Sequence, residues 1–116
     1  MDYKELEVWQ RAHEVTLKIY KITKDFPKNE QYGLISQIRR AASAIPMNIA
    51  EGKGCIYKKE YIRYLGIARG SASELEYQII LSKDLGYISE EQYNYLMDEN
   101  KRVLKMLNKL IQALRK

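Results

Sequence analysis

A chain of 116 residues with 46% hydrophobic content is long enough for one core, so a single domain over residues 1–116 is expected. Twenty Lys plus Arg against fifteen Asp plus Glu give a formal net charge of +5, a balance that admits an acidic partner without requiring one. The single cysteine, Cys55, excludes an internal disulfide and a cysteine-based zinc cluster. With a charged opening and no run of about 18 apolar residues, a soluble cytoplasmic protein is the expectation.

From Glu5 to about Asp25, Val8, Ala12, Val15, Ile19, Ile22 and Phe26 recur at alternating spacings of four and three, the mark of a helix lying lengthwise on a partner. Phe26-Pro27 ends it, because the residue before a proline disfavours helical geometry. A second helix is expected from about Gln31 to Lys53, with Gly52 and Gly54 as its stop signal. Its stripe of Ile35, Ile38, Ala42, Ile45 and Ile49 contains Pro46, which has no N–H for the carbonyl of Ala42 and crowds it. The spacing therefore predicts a bend or loosening near Ala42, with Ser43 placed to bond the freed carbonyl. Asn48 and Glu51 bring polar side chains to the same stretch, so Pro46, Asn48, Glu51 and Gly52 form its structural motif.

The third helix, about Lys58 to Asp84, repeats the pattern in Tyr61, Leu65, Ala68, Ala72, Leu75 and Ile79, and Gly86 closes it. Ser89 with Gln92 is the start signal of a fourth, whose stripe is Leu96, Asn100, Val103, Leu107, Leu110 and Leu114. Four helices of roughly 20 to 28 residues with short connections define an all-α, antiparallel up-down-up-down four-helix bundle.

Two helices carry apolar or small residues on a second face. On helix three these are Ile62, Gly66, Ser73, Tyr77 and Ile80; on helix two they are Ala44 and Met47. Gly66 and Gly70 each cost a helix roughly 1 kcal/mol relative to alanine, a cost usually explained by close backbone approach. The expectation is a homo-oligomer with these residues at its interface. Helix four has the opposite character, with six basic residues and no acidic one from Lys101 onward. Cations there complement the helix dipole, yet Lys101, Arg102, Lys105 and Lys109 also suit phosphate, extended by Arg39, Arg40, Lys58, Lys59 and Arg63. Tyr57, Tyr61 and Tyr64 interleave with the last three, which fits base stacking or, more simply, the wet edge of a bundle.

Chemistry is sparse. His13 is the only histidine, so the paired Glu-x-x-His motifs of a di-iron bundle are absent, and Gly52-Lys53-Gly54 is too short for a phosphate loop. Arg39, Arg40, Asn48 and Glu51 with Arg69, Ser71, Ser73 and Glu74 form the densest polar group. It suits ion pairs that fix register between helices or between subunits better than a hydrolytic pair of Glu51 and Glu74. No metal, cofactor or small-molecule substrate is expected.

The strings Ser36-Gln37-Ile38-Arg39-Arg40-Ala41-Ala42, Ile45-Pro46-Met47-Asn48-Ile49-Ala50-Glu51-Gly52 and Ala68-Arg69-Gly70-Ser71, with Val8-Trp9-Gln10 and Leu85-Gly86-Tyr87, span nearly the whole chain. In these the chain resembles the bacterial family of 23S rRNA intervening-sequence proteins, which is also similar to the accessory protein of diversity-generating retroelements. The resemblance implies a four-helix bundle, a homopentamer, contact with RNA, DNA or a nucleoprotein, and no established enzymatic activity. Ala44 and Met47 stand where such proteins usually carry serine. The expected function is a non-catalytic oligomeric bundle that binds nucleic acid through basic surfaces. The alternative is a purely structural or protein-interaction module.

Overall fold

The computed structural model describes residues 2–116. Four helices follow in order: α1 (Glu7–Thr23), α2 (Leu34–Lys53), α3 (Lys58–Asp84) and α4 (Glu90–Arg115). Single 3-10 turns at Tyr3–Glu5 and Lys28–Glu30 precede α1 and α2, and no strand forms among the described residues. Each helix packs on its neighbours in sequence and α1 closes against α4, while the diagonal pairs do not approach. This is the up-down-up-down bundle that the 4-3 spacing implies. The stripe residues of all four helices meet in one core, with Ala42, Ile49, Leu65, Ala68, Ala72, Leu75, Ile79 and Leu107 fully buried.

The helix ends differ from expectation where local chemistry intervenes. At 17 residues α1 is shorter than expected, and it stops at Thr23 because Phe26 turns into the core, its N–H donating to the Thr23 carbonyl at 3.2 Å. The start of α2 shifts to Leu34 because Glu30 takes over as its cap: one carboxylate oxygen accepts from the Leu34 N–H at 3.2 Å. The other accepts from the Tyr87 hydroxyl at 2.9 Å, latching the α1–α2 loop to the α3–α4 turn and raising the Tyr87 pKa. At that turn Gly86 adopts φ +79°, and the N–H groups of Gly86 and Tyr87 donate to the carbonyls of Lys83 and Ser82. Only glycine takes that conformation at little cost, so Gly86 is the stop signal. Ser89 and Gln92 form the expected reciprocal cap.

Gly52 has a different role from the one expected. It lies inside α2, buried, and a Cβ there would stand 2.9 Å from both Tyr61 Cδ1 and Tyr64 Cβ. It is a point of close approach between α2 and α3, and Gly54 alone follows the helix as its cap.

Pro46 does not loosen α2, which stays helical on both sides of it. The carbonyl that Pro46 leaves without a donor is served from another helix: the hydroxyl of buried Thr16, on α1, lies 3.1 Å from Ala42 O and 2.8 Å from Ala12 O. One proton is shared between two acceptors. Ser43, the expected partner, instead donates to Arg40 O at 3.3 Å. Asn48 donates back to Ala44 O at 2.7 Å. In the α4 stripe, buried Asn100 donates to Ala72 O at 2.9 Å, a polar contact that specifies the α3–α4 register.

Thr16→Val is expected to cost about 1–3 kcal/mol by stranding a buried carbonyl. In a Pro46→Ala background, where residue 46 regains its own N–H, the same change costs less. Urea unfolding of the four proteins measures the coupling; equal costs in both backgrounds would refute the bond's role.

Candidate nucleic-acid interface

Antiparallel wiring brings the end of α2, the start of α3 and the end of α4 to one end of the bundle. Lys58 Nζ lies 3.4 Å from the Lys116 carbonyl, which joins two basic segments far apart in sequence. Lys58, Lys59 and Arg63 are exposed there, as are Lys105, Lys109, Arg115 and Lys116, and the α4 row continues back through Arg102 and Lys101. Lys101, Lys105 and Lys109 recur every four residues, about 6 Å apart along the helix, and form no ion pair among the described residues.

The row borders a groove of about 250 Å3 between α1 and α4, lined by Glu7, Arg11, Arg102, Lys105, Met106 and Lys109. Arg11 binds Glu7 and Glu99, each at 3.1 Å, and its pKa is raised chiefly by the Glu7 hydrogen bond. Glu99 also stands 3.8 Å from Arg102. These carboxylates fix Arg11 as a strut and leave the lysines uncompensated.

Arg39 and Arg40 lie apart from this end. Arg39 is committed within the subunit: its Nε donates to Thr23 Oγ1 at 2.8 Å, its Nη2 to Tyr20 O at 3.3 Å, and its guanidinium covers the Tyr20 ring. It clamps α2 to α1. Arg40 is exposed and, with Tyr20, Tyr32 and Ser43, lines a separate shallow groove.

The start of α3 breaks local rules. Tyr57 occupies the capping position without a side-chain bond to offer, and Lys58 and Lys59 follow at the end of the helix dipole that disfavours cations. Among the interleaved tyrosines, Tyr61 is half-buried beneath Lys53, its pKa raised by that burial, and Tyr64 is covered by Arg63 at 4.6 Å. Tyr57 is 68% exposed, beside Ile56 at 89%.

The residues expected at a subunit interface divide. Met47, Ser73 and Tyr77 are exposed and Ala44 and Gly66 partly so, whereas Ile62 and Ile80 rest partly against the subunit's own core. The exposed apolar side chains of α3 are Ile67 and Tyr77. A Cβ at Gly66 or Gly70 would meet nothing within 4 Å, so no part of the subunit itself requires these glycines. On α2, Ser36, Arg40, Ser43, Met47, Ala50 and Gly54 form a second 4-3 stripe that the sequence reading missed, none of it buried. Beside it lies an apolar groove of about 280 Å3 walled by Pro46, Met47 and the stacked rings of Trp9 and His13.

The polar group expected between α2 and α3 does not assemble. Arg69 donates to Asn108 on α4 at 3.0 Å, Arg39 turns to α1, and no ion pair joins α2 to α3 among the described residues. Glu51 lies near the level of Tyr61 and Tyr64, which pack on neighbouring Gly52. Glu74 is ten residues beyond Tyr64, about 15 Å along α3, so the two carboxylates share no site. Among the described residues no three His, Cys, Asp or Glu side chains stand close enough to hold a metal ion, and no helix is long and apolar enough to cross a membrane.

Tyr57→Ser supplies the missing cap and is expected to raise stability by about 0.5–1 kcal/mol. Thermal unfolding measures it, and a lowered midpoint would contradict the capping argument.

No curated protein is significantly similar to the chain. Its structure is similar to the crystal structure of a protein of unknown function from the S23 ribosomal protein family of Bacteroides thetaiotaomicron, with a TM-score of 0.84 and 26% identity. The match covers 90% of this chain and 95% of that one. Residues 4–109 match the family described as 23S rRNA-intervening sequence protein, and the chain belongs to that family.

Proposed function

We propose that this chain is a non-catalytic oligomeric bundle that binds nucleic acid, or a partner carrying it, through its basic end. The observation that carries the reading is the meeting of Lys58, which opens one basic segment, with Lys116, which closes the other, at one end of the bundle, from which the α4 row runs back through Lys109 and Lys105 to Lys101. Cations gathered without matching carboxylates raise the local potential and attract phosphate in proportion to the number of contacts.

Assembly is the second part of the proposal. The 4-3 stripe on α2 has the spacing of a helix seam, yet none of it is buried. Gly66 and Gly70 leave α3 flat where the subunit has no need of flatness. Both features fit a neighbouring copy lying close against them, and the family resemblance makes five the expected number. Repeating the basic end around a ring multiplies its field.

Affinity for random RNA and DNA is expected to fall steeply with added salt. A triple Lys101→Gln, Lys105→Gln, Lys109→Gln variant is expected to lower the log–log slope by about 2–3, close to one for each phosphate no longer neutralised. Absence of binding at low salt would favour the structural or protein-interaction reading instead. Light scattering is expected to give a multiple of the chain mass. Gly66→Ala with Gly70→Ala should stabilise α3 by roughly 1 kcal/mol each while reducing that multiple. A parent that is monomeric when dilute would refute assembly.

A further inference from the structure

Among the described residues six aromatic rings already carry a cation: Lys or Arg side chains sit over Tyr3, Tyr20, Tyr61, Tyr64, Tyr93 and Tyr95. Tyr57 does not, although Lys58 and Lys59 adjoin it and Lys53 lies four residues before it. The residue is 68% exposed at the turn between α2 and α3, at the end of the bundle that also holds Lys116. From Lys53 to Arg63 the only carboxylate is Glu60. The juxtaposition is a free aromatic face beside Lys58 and Lys59, neither of which forms an ion pair among the described residues.

We infer that this end binds single-stranded nucleic acid, with an unpaired base stacked on Tyr57 and the adjoining phosphates held by Lys58, Lys59 and Lys116. This rests on the nucleic-acid reading above and narrows it. A duplex offers only phosphates and groove edges to such a surface, because its base faces are stacked on one another. An unpaired base presents a face of its own, and stacking with phosphate neutralisation is how sequence-tolerant single-strand sites are built. The unfavourable placement of Tyr57, Lys58 and Lys59 at an uncapped helix start has a use on this reading. Tyr32, exposed at 95%, is the control, since its groove contains the free Arg40 but no row of lysines.

The test compares a fluorescein-labelled oligouridylate with a duplex of equal length across a range of salt. Tyr57→Ser is the informative variant because it removes the ring while improving the helix cap. It is expected to weaken oligouridylate binding about tenfold, with duplex affinity and the salt slope unchanged, while Tyr57→Phe and Tyr32→Ser match the parent. If Tyr57→Ser binds the single strand as the parent does, stacking is overturned and the charge-based reading stands. If the parent binds neither form at low salt, both fall. A reduced particle mass for Tyr57→Ser would also overturn the inference, by assigning the ring to contact between copies.

Discussion

The bond from Thr16 to the carbonyl of Ala42 lets α2 keep a proline in its middle and stay one helix. A freed, buried carbonyl costs about 1–3 kcal/mol if left unpaired, and here α1 reaches across to satisfy it. Because α2 continues helical past Pro46, Gly52 arrives beneath Tyr61 and Tyr64 and brings α3 close. That approach fixes the level of α3, and through Asn100 and Ala72 the level of α4. The joining of the two basic segments follows from that chain of placements.

The bundle keeps its polar groups off the α2–α3 seam and uses them where helices meet at their edges. Arg39 ties α2 to α1, Arg69 ties α3 to α4, and Arg11 ties α1 to α4 through Glu99. Between α2 and α3 two tyrosines, Tyr61 and Tyr64, pack on Gly52, and no ion pair joins the two helices among the described residues. Such a seam is held by close packing, which tolerates little change in volume.

The lysine row and the α2 stripe lie on different helices. The uncompensated lysines lie on α4 and at the start of α3, while the unburied 4-3 stripe runs along α2 with Met47 exposed at its middle. Under the proposed function, copies meet along α2 and α3, and the basic ends remain available to phosphate. The places where local rules fail, an uncapped helix start followed by lysines and two unabutted glycines, are where a partner outside the subunit is proposed.

The amino-acid sequence by itself determined the number of helices, their core stripes, the capping box at Ser89, the stop at Gly86 and the basic character of α4. Those features depend on spacing within about seven residues or on a single residue's backbone freedom. What only the tertiary structure decided was which distant groups meet: Thr16 with Ala42, Gly52 with two tyrosines, Arg69 with Asn108, Lys58 with the chain's last residue. It also separated Tyr57 from Tyr61 and Tyr64, three tyrosines alike in the sequence. Where the covering cation is distant in sequence, as Arg39 is from Tyr20, no local pattern encodes the contact.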